Sequence, residues 1–110
     1  MDPILQATTD SDEAWDDPSE DLLHDLMVDI REGRAEFLIV TRTEDPSGQT
    51  YVQTTLAPDG GWIVEHREGS SDQHFGATAA DLETAHRVVA GWSYSVPGWE
   101  QALPWAKVTF

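Results

Sequence analysis

Phe37-Leu38-Ile39-Val40-Thr41, Tyr51-Val52-Gln53-Thr54-Thr55-Leu56 and Trp62-Ile63-Val64-Glu65-His66-Arg67 are three runs rich in β-branched and aromatic residues. They are divided by Asp45-Pro46-Ser47-Gly48 and Pro58-Asp59-Gly60-Gly61. Proline presets one turn dihedral, glycine accepts positive φ and aspartate bonds its own backbone, so both dividers read as turns and the three runs as an antiparallel meander. The first run is apolar at consecutive positions, which predicts a central strand covered on both sides.

Working outward, Glu68-Gly69-Ser70-Ser71 leaves room for a short strand at residues 73–76, and Thr78-Ala79-Ala80-Asp81 has the spacing of a capping box. The helix it opens runs to about Gly91, with Leu82, Ala85, Val89 and Trp92 at spacings of three and four. Ser95-Val96-Pro97-Gly98 breaks the chain, and residues 105–110 read as a terminal strand. In the other direction, Asp17-Pro18-Ser19-Glu20 opens a first helix, with Asp17 as cap, Pro18 at the first helical position and Glu20 completing a capping box. Leu22, Leu23, Leu26, Met27 and Ile30 form its apolar stripe and Gly33 ends it. Residues 1–16 hold too few apolar groups to offset the entropy of ordering and are expected to be a flexible acidic arm. The fold expected is thus α+β over residues 17–110: a mainly antiparallel sheet of four to five strands and two helices, one N-terminal and one before the last strand. With the helices on one face, the other face of the sheet, if open, is a docking surface.

The chain of 110 residues carries 21 Asp and Glu against six Lys and Arg, a formal net charge of −15. Residues 1–33 hold eleven of the acids and one base, Arg31, so two thirds of the surplus sits in under a third of the length. Such a charge repels phosphate backbones and anionic lipid, so neither nucleic acid nor membrane is an expected partner, and a basic protein surface is. No apolar run approaches the ~20 residues that cross a bilayer. With no cysteine and no charged-then-apolar leader at the N-terminus, the expectation is a soluble cytoplasmic protein without disulfides or thiolate metal sites.

Catalytic patterns are sparse. His66 and His74 flank a turn, with Glu65 and Asp72 as possible oxygen ligands, but the spacing matches no zinc signature, and a surface histidine on a strand is the simpler account. Ser70-Ser71 near His74 is the one hint of a nucleophile. No Gly-x-Ser-x-Gly elbow or phosphate loop is present, so no enzyme, cofactor or metal is expected. Five tryptophans are the other unusual feature, and Trp62, Trp92, Trp99 and Trp105 all lie in the second half. Tryptophan serves in cores and as a binding anchor alike.

The stretch Gly61-Trp62-Ile63-Val64-Glu65-His66-Arg67-Glu68-Gly69, with Asp72-Gln73-His74-Phe75, the helix from Asp81 to Trp92, Pro97-Gly98-Trp99 and Trp105, resembles an actinobacterial immunity-protein family. That family is the one counted first among the immunity proteins of bacterial polymorphic toxin systems. The likeness covers about residues 50–110, and the acidic first third has no counterpart in it. The resemblance implies a small α+β antitoxin, encoded beside a toxin with a nucleic-acid deaminase domain, that binds the toxin and blocks its active site. On that reading Asp17, Glu20, Asp21 and Asp25 of the first helix, with Glu65, Glu68 and Asp72, steer the basic partner. Trp62, Phe75 and Trp99 are the expected anchors. The charge alone is equally compatible with an acidic secretion chaperone or adaptor whose first helix docks into a groove of a basic partner.

Overall fold

Alternation along the meander sends every second side chain to one side of a sheet, and those sides meet different fates. In the computed structural model, which describes residues 3–110, Leu38, Val40, Val52, Thr54, Trp62 and Val64 are buried, while Ile39, Gln53, Ile63 and Glu65 between them are only half-covered. The strands are β1 (Leu5–Thr9), β2 (Ala14–Asp16), β3 (Phe37–Arg42), β4 (Thr50–Leu56), β5 (Trp62–Glu68), β6 (His74–Ala79) and β7 (Ala106–Lys107). The helices are α1 (Glu20–Arg31) and α2 (Leu82–Tyr94), with single 3-10 turns at Ser71–Gln73 and Trp99–Gln101. Among the described residues the strands form one sheet of seven in the order β2-β1-β3-β4-β5-β6-β7, with every neighbouring pair antiparallel.

The α+β class, the antiparallel meander and the two helices agree with the sequence reading. The strand number does not, because β1 and β2 lie in the segment expected to be a flexible arm. Of that segment, Met1 and Asp2 are outside the described residues. From Leu5 onward it is a hairpin against β3, with Leu5 opposite Arg42, Ala7 opposite Val40 and Thr9 opposite Leu38. Leu5 and Ala7 enter the core at 6% and 0% exposure, and Trp15 packs partly against it. Ladder bonds and shared burial against β3 supply what the local composition lacks. Asp17 is drawn into the same construction: at φ 44 its carboxylate accepts from the Ile4 and Leu5 amides at 2.9 and 3.0 Å.

Asp17 therefore does not cap α1. That role belongs to Ser19, whose Oγ accepts from the Leu22 amide at 3.1 Å. Leu23, Leu26, Met27 and Ile30 bury the expected stripe. Likewise β6 continues through Ala79, so the cap of α2 is Asp81, accepting from the Thr84 amide at 2.8 Å, and not Thr78. The second helix also passes through Gly91 to end at Ser95, in the left-handed region at φ 56. Gly91 is a packing position: a Cβ there would lie 2.6 Å from the Cβ of Trp99.

Both helices and the C-terminal turn cover the same side of the sheet, giving one cluster from Leu5 to Leu103. The expectation that β3 is covered on both sides fails, since Phe37 and Ile39 point to the uncovered face. Removing residues 1–16 is predicted to lower stability by about 3 kcal/mol or more from the Leu5 and Trp15 burial alone. Urea unfolding of the shortened chain measures this, and an unchanged midpoint would show the hairpin to be dispensable.

Candidate binding surface

The parity of β5 and β6 decides where the expected site residues go. Register pairs His66 with Phe75 and Arg67 with His74, so His66 and Phe75 face the helices while Arg67 and His74 face the open side. The two histidines thus lie on opposite faces and cannot share a metal. Among the described residues no group of three or more His, Asp or Glu is placed to hold one.

On the open side, His74 is 2% exposed and both ring nitrogens are engaged: Nε2 with Glu65 Oε1 at 2.9 Å, and Nδ1 accepting from Arg67 Nε at 3.0 Å. Glu65 also accepts from Gln53 Nε2 at 3.0 Å, and Arg67 donates to Gln49 Oε1 at 2.6 Å. No nitrogen of His74 is left to activate Ser70 or Ser71. On the helix side, His66 is stacked on Phe75 and meets the edges of Trp99 and Trp105, with ring centroids 5.1, 5.0 and 4.6 Å away. Its Nδ1 bonds Glu68 Oε2 at 2.6 Å, and the same oxygen accepts from Trp92 Nε1 at 2.9 Å. Arg42 lies 4.3 Å over the Trp92 ring and donates to the Trp92 carbonyl at 2.6 Å. This closed box joins β5, β6, α2 and the C-terminal segment.

The expected anchors all pack within the fold, to different depths. Trp62 is 2% exposed, held under α2 because its strand position puts it on the covered face, so it cannot reach a partner. Phe75 and Trp99 are half-buried walls of the His66 box. Nor do Glu65, Glu68 and Asp72 form one edge: Glu65 belongs to the open face, Glu68 to the box, and Asp72 is exposed in the turn Ser71–Gln73. Asp17 is occupied by the N-terminal strand.

Glu20, Asp21 and Asp25 stand as expected on the exposed face of α1. None of the three has an ion-pair partner among the described residues, although Arg87 lines the same groove as Glu20. Arg31 pairs with Glu32 at 3.6 Å and Arg34 with Asp29 at 2.9 Å, while Arg42 and Arg67 are held by the contacts above. Above the helices, a groove lined by Glu20, Glu83, His24, His86, Arg87 and Tyr94 among others adjoins this face. Burial, and then the charge of Glu20, raise the Tyr94 hydroxyl above its ordinary value of 10.0, so it stays protonated and donates to the Pro18 carbonyl at 2.5 Å.

Sequence reasoning missed a groove of about 380 Å³ on the open face, lined by Glu36, Phe37, Ile39, Thr55, Ile63 and Glu65 among others. The apolar odd positions of β3 were its signal, hidden by the reading of that strand as doubly covered. Among the described residues no helix is long and apolar enough to cross a membrane. In comparisons with known proteins, no family model matches the chain, and neither a curated protein nor a solved structure does.

Glu68 offers a test of the box. Burial pushes its carboxyl up, but the bonds from His66 and Trp92 and the charges of His66 and Arg42 outweigh this and hold it below the usual 4.5. A depressed carboxyl stabilises the fold above its ordinary value and loses that contribution as pH falls through the folded value. Glu68→Gln is therefore predicted to cost up to about 1 kcal/mol at pH 7, since solvent screens a carboxylate this exposed, with the gap to the parent narrowing below about pH 4.5. Urea unfolding of both chains across that range measures it, and a gap independent of pH would contradict the assignment.

Proposed function

We propose that this chain is a cytoplasmic, non-catalytic antitoxin that neutralises a cognate polymorphic toxin, a nucleic-acid deaminase, by binding it and covering its active site. The observation that carries the reading is the set of acids on the exposed face of α1, Glu20, Asp21 and Asp25, none of which is in an ion pair among the described residues. A deaminase that takes single-stranded nucleic acid needs a basic channel, and an acidic protein surface is complementary to it. The resemblance of residues 50–110 to the immunity family points to the same partner. His74 has both ring nitrogens committed inside the fold and His66 has its Nδ1 held by Glu68, which supports binding over chemistry.

The chaperone reading, in which the first helix itself docks into a partner's groove, is the weaker one. The apolar residues that such docking would need, Leu23, Leu26, Met27 and Ile30, are buried in this chain's own core.

Co-expression with the deaminase toxin encoded beside it tests the function: growth should be restored, and purified antitoxin should abolish deamination in vitro. Association should slow by about tenfold between low and high ionic strength, as screening removes the steering field. Stopped-flow rates that ignore salt would remove the charge argument, and toxicity undiminished by the chain would remove the function.

A further inference from the structure

The uncovered face of the sheet has the anatomy of an interface. Across β3, β4 and β5 the register aligns Phe37, Thr55 and Ile63 in one row and Ile39, Gln53 and Glu65 in the next. Three large apolar side chains thus meet at its centre, each half-covered, in the groove already described. Around them the charges are of one sign. Glu36 and Glu65 line the groove, and the acidic β1–β2 turn is tied to its rim by the Glu36 amide, which donates to Asp10 Oδ1 at 3.0 Å. Asp12 and Glu13 follow in that turn. Among the described strands, the base on this face is Arg67, one row away and held by His74 and Gln49.

We infer that this face is a docking surface for a positively charged segment of a partner protein, one that sets an apolar side chain between Phe37, Ile39 and Ile63 and Lys or Arg against Glu36, Glu65 and the β1–β2 turn. An apolar centre with a charged rim is how specific protein interfaces divide affinity from orientation. The charge selects the occupant. A second copy of this chain would bring its own −15 to the contact, and nucleic acid or anionic lipid would meet the same repulsion. This assignment rests on the binding of a basic partner proposed above and adds a contact separate from α1, on the face of the sheet that the helices leave open.

The test titrates the labelled protein with a short peptide of alternating leucine and lysine, and with its leucine–glutamate counterpart, in about 0.15 M salt, where weak surface attraction is screened. Amide shifts should be saturable and centre on Phe37, Ile39, Thr55 and Ile63. Ile63→Lys and, as a milder change at a polar position, Thr55→Lys should weaken the lysine peptide by about tenfold, whereas Asp25→Lys on α1 should change it little. Thermal unfolding confirms that each variant is folded. Shifts confined to α1, or no saturable binding, would overturn the docking surface, and the former would leave the basic-partner reading standing. Equal affinity for the leucine–glutamate peptide would overturn that reading as well.

Discussion

The buried row Leu38, Val40, Val52 and Val64 needs an apolar cover, and α1 and α2 both supply it from the same side. The rest of the molecule follows from that one-sidedness. The hairpin of β1 and β2 extends the covered row at one edge through Leu5 and Ala7, and the C-terminal segment extends it at the other through Trp99, Leu103 and Trp105. The opposite face carries the intervening residues of the same strands, and these keep a mixed character because no helix among the described residues lies over them. A sheet with one packed and one solvated face is the ordinary antiparallel arrangement.

The His66 box shows how the tryptophan-rich half is used. Stacking on Phe75, the edges of Trp99 and Trp105, and the shared Glu68 carboxylate bind strand, helix and C-terminal turn at one point. Aromatic side chains offer large contact area, and a partly buried carboxylate accepting two bonds fixes their orientation. Gly91 belongs to the same assembly, since only a residue without a Cβ lets Trp99 approach α2 so closely.

The meander was legible because Asp45-Pro46-Ser47-Gly48 and Pro58-Asp59-Gly60-Gly61 are strong turn chemistry, and the helices because Leu23, Leu26, Met27 and Ile30, or Leu82, Ala85, Val89 and Trp92, repeat at helical spacing. The hairpin of β1 was not legible. Its alternation covers five residues and includes the small Ala7, so its burial depends on β3, far along the chain. The site was read less well than the fold. Alternation tells that Trp62 and Ile63 face opposite ways, but not which face the helices take, and bulk made Trp62 look like an anchor when it is core. Glu65 and Glu68 were similarly split by parity, whereas Glu20, Asp21 and Asp25 were readable because a polar helix face points to solvent with or without tertiary contacts.

The charge sets the remaining constraint. Like charges on a folded surface repel, and here the acids outnumber the bases by 15, with Arg31 and Arg34 in surface ion pairs and Arg42 and Arg67 held by contacts within the fold. A chain whose acids were matched by its own bases would lose stability when salt screens them, while one with surplus acids gains it. That surplus is what a basic partner would neutralise. The most direct measurement is the thermal midpoint of the isolated protein across sodium chloride concentrations from about 0.01 to about 0.3 M, where the Debye length shrinks several-fold. The account predicts a midpoint that rises with salt, and one that falls would contradict it by showing the acids to be internally paired.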